Sequence, residues 1–326
     1  MVNSEIISFL GEDWTRMIKR IDSSLASDIS LLDKTNKSIL ANGGKRLRPL
    51  VSLLMARACS GGKVTDESID YAAAVELLHN ATLLHDDVVD DSRTRRGEPT
   101  VYASLGRTAS VLVGDFWLVQ TMKCILENGR KDSRIADLFS STLRCLAEGE
   151  MLQLEKASLA DTSKEDYLRI IYSKTASLFE TASACAAISV SADEKRIEAA
   201  KEYGRNLGMA FQIKDDIMDY ESSDASLGKP VGVDLLEQKI TLPLLGALIY
   251  VDEVENHRIR QLVAHIDSEN VSSVRRFVLD NNGVQYAEDC LKEYVNRAVN
   301  ALNAFPDTKE KEYLVTLACF SAERKV

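Results

Sequence analysis

Turn-forming residues are scarce in this chain. It holds only 16 glycines and 5 prolines in 326 residues, roughly half the usual share. A long chain with few turn-makers folds into few, long elements, so long helices are the expectation. An all-β sandwich needs many turns and is excluded on that ground. No fixed-period repeat suggests a solenoid. No alternating strand run with a hairpin turn, and no βαβ rhythm, is present. Apolar residues at 45% and charged residues at 28% give the balance of a globular protein. The expected fold is all-α, one large helical bundle forming a single domain over residues 1–326.

Prolines and glycine pairs mark the helical blocks. Ile6 to Leu40 reads as two amphipathic helices with a break near Asp22–Ser24, and Gly43-Gly44 ends the second. Pro49 falls in the first turn of a helix reaching about Cys59, where its missing N–H costs nothing. Asp66 to Asp90 is one long apolar-periodic block, and Arg93 to Pro99 reads as a loop. Further helices are expected over Leu112–Glu127, Ile135–Lys156, Lys164–Val190 and Lys195–Tyr220. Glu221 to Lys239 reads as irregular, and shorter helices fill Thr241 to Phe320, with stops at Asn281–Gly283 and Pro306. Thr181 to Ala192 is apolar almost all round, as in a helix buried inside a large bundle.

The net charge of −10 and pI near 5.1 repel phosphate backbones, so nucleic acid is not an expected partner. Any phosphate must be recognised by local basic clusters. Six scattered cysteines form no CxxC pair and read as buried thiols of a reducing, cytoplasmic compartment. Met1 to Arg20 lacks the basic start and apolar core of a signal peptide. The longest apolar run, Leu242 to Val251, is interrupted by Pro243 and Gly246, so no transmembrane span is expected.

The chemistry lies in the aspartates. Asp86-Asp87-Val88-Val89-Asp90-Asp91 ends a long apolar helix, and Asp86 and Asp90, four apart, project from one face. Like charges at that spacing cost a few tenths of a kcal/mol, and the helix dipole disfavours anions at a C-terminus. Either the end is solvated, or a cation removes both penalties. Oxygen-only donors suit Mg²⁺, with water and phosphate completing its shell. A second copy, Asp215-Asp216-Ile217-Met218-Asp219, again ends a long helix with two carboxylates four apart. Two such clusters can face each other in one polynuclear site. Cations stand beside both: Arg93, Arg95 and Arg96 after the first, Lys229 and Lys239 after the second, and Gly43-Gly44-Lys45-Arg46-Leu47-Arg48-Pro49 before the first. Arginine binds phosphate bidentately and lysine as a point charge, which together describe a diphosphate–Mg²⁺ site. The glycine pair lacks P-loop spacing. His79, Lys174-Thr175 and Gln212 are polar groups on otherwise apolar helices and, taken alone, fit a structural role equally.

Taken together, the two aspartate motifs, the Gly43–Pro49 run and Gly228-Lys229-Pro230 resemble the trans-isoprenyl diphosphate synthases, the polyprenyl synthetase family, in the right order from about residue 35 to 250. The resemblance implies the isoprenoid synthase fold, helices around a deep central cavity, usually in a homodimer. It implies successive head-to-tail, 1'-4 condensation of isopentenyl diphosphate onto an allylic diphosphate, with about three Mg²⁺ ions. Asp86, Asp90 and Asp215 would ligand the metal, supported by Asp87, Asp216 and Asp219. Arg95, Lys174 and Lys239 would hold the allylic diphosphate, with Lys229 among the substrate-binding cations. Lys45, Arg48, His79 and Arg96 would hold isopentenyl diphosphate, and Thr175 and Gln212 would face the developing allylic cation beside Lys174. One departure is Gln238, where the family usually has glycine before the lysine. A squalene-type synthase is disfavoured by the Gly-Gly-Lys-Arg-Leu-Arg run, and a non-catalytic subunit by the retention of every cluster.

Product length turns on Thr82 and Ala81, four and five residues before Asp86. Bulky aromatics there stop growth early in the family. Both residues are small in this chain, which predicts a medium- to long-chain product rather than a farnesyl- or geranylgeranyl-length one, with a deeper floor at Leu78 or on the helix bearing Leu143 and Leu146. Transient membrane contact would serve release of such a product.

Overall fold

A computed structural model describes residues 2–127, 132–221, 232–267 and 269–324. The first helices are α1 (Val2–Leu10), α2 (Glu12–Ser24), α3 (Ser30–Ala41), α4 (Leu47–Ser60) and α5 (Asp66–Val89). A two-residue hairpin follows, β1 (Thr94–Arg95) and β2 (Glu98–Pro99), then α6 (Val101–Leu105), α7 (Arg107–Leu126) and α8 (Ser133–Leu159). Next come α9 (Lys164–Ile171), a π-helical turn over Tyr172–Ala176, α10 (Ser177–Ser189) and α11 (Glu194–Glu221). The chain continues through α12 (Val233–Leu236), α13 (Leu242–Leu248), α14 (Glu253–Ala264), α15 (Val271–Asp280), α16 (Gly283–Ala301) and α17 (Lys309–Glu323). The fold is all-α, and the hairpin is the only sheet among the described residues.

Several expectations change. The N-terminal block forms three helices, because Gly11 takes φ +54° between α1 and α2 and the next break falls after Ser24. The Arg93–Pro99 loop is a hairpin whose Arg96 and Gly97 both have positive φ, as a type I′ turn requires. Two-residue strands are too short to show alternation in sequence. Lys164–Val190 is interrupted by the π turn. Lys229, with Gly228 and Pro230, lies outside the described residues.

The chain divides into two compact units. The first comprises residues 1–139, 181–200 and 304–314. Its centre is α5, every residue of which from Ile69 to Leu78 is buried. Thr65 caps α5 in a capping box with Ser68, and Ser68 Oγ lies 2.6 Å from Ser189 Oγ. Helices α2, α4 and α7 pack on α5. Buried Asp70 is held by Arg20 at 2.6 Å, which satisfies a charge that would otherwise be costly inside. By length and composition α7 alone among the described helices could cross a membrane, yet it buries Trp117, Gln120 and Thr121. Trp117 Nε1 donates to Asn36 Oδ1 at 2.9 Å.

The second unit comprises residues 140–180, 201–303 and 315–326. Its core joins Tyr167, Ile171, Ile213, Ile217 and Tyr220 to the wholly buried α13 and to Ala287 and Leu291 of α16. The π turn is wedged between two glycines. A Cβ on Gly149 would stand 2.5 Å from Ser173 Cβ, and one on Gly208 2.4 Å from Ala176 Cα.

Candidate active site

In the first unit, the last turn of α5 carries the aspartates. Asp90 N–H donates to Asp86 O at 2.8 Å, and Ser92 N–H to Asp87 O at 2.9 Å, with Asp91 left-handed at φ +51°. This is a Schellman-type ending. It leaves Asp90 exposed and Asp86 half-buried while Asp87 is buried. Arg95 grips Asp87 through Nε at 2.9 Å and a second guanidinium nitrogen at 2.8 Å. Burial pushes the Asp87 carboxyl up and Arg95 pulls it back. Asp87 is thus committed to Arg95, and the hairpin is pinned to the helix end. Asp86 and Asp90 offer carboxylate oxygens with no cysteine nearby in sequence, a donor set that fits a hard cation keeping much of its water. No group of three or more potential ligands is assembled among the described residues.

Behind this end lie the cations assigned to isopentenyl diphosphate. The Gly43–Pro49 run links α3 to α4, and Arg46 is its left-handed N-cap at φ +46°. Gly43 leaves room for Arg46, which donates to Leu40 O at 2.9 Å. Gly44 does the same for Arg96: a Cβ there would lie 2.3 Å from its guanidinium, and Arg96 donates to Asn42 O at 3.1 Å. The two glycines are therefore seats for two arginines. Asn3 Nδ2 donates to Lys45 O. His79 is held well below the usual imidazole range by burial, then by the charges of Arg48, Arg96 and Arg95, so it stands neutral among arginines. Leu78 and Ala81 are fully buried, and Thr82 is half-buried with its hydroxyl donating to His79 O at 2.8 Å.

In the second unit, a polar chain runs through apolar surroundings. Thr175 Oγ1 donates to Gln212 Oε1 at 2.7 Å. Gln212 Nε2 donates to Asp216 Oδ1 at 2.9 Å, and Tyr167 OH to Asp216 Oδ2 at 2.7 Å. The π turn presents Thr175 on this line and Lys174 beside it, and such bulges often mark functional positions. Lys174 pairs with Glu150 at 2.5 Å and donates to Gln153 at 3.1 Å. Burial raises the Asp216 carboxyl well above the usual range, with Asp234 adding to it. Burial also pushes Asp234 up to about 7. Asp219 accepts from the N–H groups of Val233 and Asp234 at 3.1 and 3.2 Å, capping α12. Asp215 pairs with Arg324 at 2.8 Å. Lys239 pairs with Glu237. Gln238 is left-handed at φ +59°, a position that favours glycine, and its amide donates to Ala264 O at 3.0 Å.

The family's sequence profile, Polyprenyl synthetase, matches residues 29–280. The chain belongs to the polyprenyl synthetase family. It is 38% identical over 321 residues to an octaprenyl diphosphate synthase of Haemophilus influenzae, covering 98% of this chain and 96% of that one. The corresponding Escherichia coli enzyme is 36% identical, with 99% of each chain covered. A polyprenyl synthase of Caulobacter crescentus, solved with calcium and isoprenyl diphosphate, superposes with a TM-score of 0.91 at 34% identity, covering 99% of this chain and 98% of that one. The fold is the isoprenoid synthase fold, and the protein is a prenyltransferase of a metal-dependent family that makes polyprenyl diphosphates.

Sequence reasoning missed Glu76, Glu150, Tyr167 and Arg324 as parts of these clusters. Glu76 and Tyr167 had a signal, a polar group inside an apolar helix. Glu150 and Arg324 had none, since their partners lie 24 and 109 residues away.

Proposed function

We propose that the protein extends an allylic diphosphate by repeated 1'-4 addition of isopentenyl diphosphate to an all-trans product in the octaprenyl range, using Mg²⁺ held by Asp86, Asp90 and Asp215. The observation that carries this reading is on α5. Asp86 and Asp90 end the helix with Arg95 and Arg96 directly after them, and the small Ala81 and Thr82 lie one turn behind. A turn rises about 5.4 Å, roughly one isoprenoid unit, so a growing chain passing there meets no bulky side chain.

Bound Mg²⁺ would neutralise charge building on the departing diphosphate. The protein's own part is positioning. Lys174 and Lys239, each steadied by a carboxylate, and Arg95 would bind the allylic diphosphate. Lys45, Arg48, Arg96 and neutral His79 serve isopentenyl diphosphate. Thr175 keeps its lone pairs for a developing cation, because its proton is given to Gln212, and Asp216 fixes that amide. Asp87, Asp216 and Asp219 act through Arg95, Gln212 and α12. Pyrophosphate is the base that takes the final proton.

We further assign residues 1–326 to one catalytic domain working as a cytoplasmic homodimer with transient membrane contact for product release. Support for the dimer is the stripe of exposed Leu112, Val119, Met122 and Leu126 on α7, at the spacing of one helix face. Incubation with labelled isopentenyl diphosphate, farnesyl diphosphate and Mg²⁺ should incorporate several units per starter, and EDTA should stop it. Incorporation unaffected by EDTA would contradict the proposal.

A further inference from the structure

Glu76, like the Arg20-paired Asp70, is a buried acid of the first unit that the reaction as outlined does not use. It lies on α5 one turn before His79 and Asn80, and is 5% exposed. Asn80 Nδ2 donates to its Oε1 at 3.3 Å and to its backbone carbonyl at 2.8 Å. Its other oxygen, Oε2, is buried and has no hydrogen-bond partner among the described residues. A buried carboxylate oxygen left without a donor is costly, so its surroundings need a reason.

They are strongly cationic. Burial pushes the Glu76 carboxyl up, and the charges of Arg48, Arg46 and Arg96 pull it back, in that order of strength. The same Arg48 and Arg96 act on His79. Arg46 and Arg48 stand two residues apart at the start of α4 and Arg96 in the hairpin turn, and like charges from these two segments repel one another.

We propose that Glu76 is a positioning residue for isopentenyl diphosphate, a counter-charge that gathers Arg46, Arg48 and Arg96 into one bowl before the diphosphate arrives. The proposal rests on the assignment of Arg48, Arg96 and His79 to that substrate. Pre-organised cations lose less freedom on binding, so the effect belongs in isopentenyl diphosphate affinity. The allylic substrate, assigned to Arg95 and the second unit's lysines, is untouched. A carboxylate that only repelled phosphate would have the opposite sign.

Glu76→Gln keeps the shape and removes the charge. In the full-length protein, it should raise the KM for isopentenyl diphosphate about tenfold or more while leaving the KM for farnesyl diphosphate within about twofold. Calorimetric titration with isopentenyl diphosphate should weaken in parallel. Glu76→Asp should recover part of the loss. An unchanged or lowered KM for isopentenyl diphosphate, or equal increases for both substrates, would overturn the proposal. If the Gln variant does not fold, Asn80→Ala decides. It frees the carboxylate without removing it and should raise the same KM about threefold, whereas no change overturns the idea. A wild-type protein that transfers no prenyl group would refute the assigned activity instead, and the calorimetric arm would still test Glu76.

Discussion

Asp86 and Asp90 close α5 with like charges one turn apart at the negative end of the helix dipole, an arrangement that helps catalysis and costs stability. Asp86→Ala should therefore reduce kcat by orders of magnitude while the melting temperature holds or rises slightly. A loss of fold, or near-normal turnover, would speak against the metal role. His79 bears on pH in the same direction as a salt-bridged acid, but in a higher pH window. Its folded pKa lies well below 6.5, so the native state refuses a proton that the unfolded chain accepts. Stability is full above about pH 6.5 and falls below it, by up to about 1.4 kcal/mol per pH unit from this group. Denaturant titrations at pH 7 and 5 should show a smaller loss in His79→Asn than in wild type. The aspartates were legible because like-charged acids repeated at two helix ends carry a cost that a bound cation removes. Arg324 was not, because its partner Asp215 is far away in the chain and long-range partners are invisible in one sequence, and Glu76 showed only as a polar group inside an apolar helix.

Helix α5 was legible almost to its boundaries, Asp66–Asp90 against Asp66–Val89, since a long apolar period ended by acids is a strong signal. The hairpin was not, because its turn uses Arg96-Gly97 in place of Asn-Gly. The π turn was hidden for another reason: what shapes it is the close approach of Gly149 and Gly208 from α8 and α11, a non-local fact. These seats carry predictions. Gly208→Ala drives a methyl into the Ala176 backbone and should cost about 1–3 kcal/mol, lowering kcat through Thr175 and Gln212. Calorimetric melting with steady-state kinetics checks both. Gly44→Ala meets the flexible end of Arg96 first, so it should leave the melting point nearly unchanged and raise the KM for isopentenyl diphosphate. Equal effects on both substrates would contradict that seating.

For the molecule as a whole, few turn-makers and helices apolar all round were enough to anticipate an all-α chain, and the order of the motifs was enough to anticipate the family. The division into two compact units had no sequence mark, because no linker or composition shift accompanies it. Assembly is testable on α7. Leu112→Glu with Val119→Glu should convert a dimer to a monomer in sedimentation, and a wild-type monomer would remove the need for that face. Product length is the property that most depends on the chain acting as one enzyme. It is read most directly by chromatography of the dephosphorylated products from isopentenyl and farnesyl diphosphates with Mg²⁺, wild type beside Ala81→Phe. The wild type should run in the octaprenyl range, and Ala81→Phe should shift sharply to shorter chains while the first condensation continues. A wild type that stops at the farnesyl stage, or products unmoved by the substitution, would contradict an open path past Ala81.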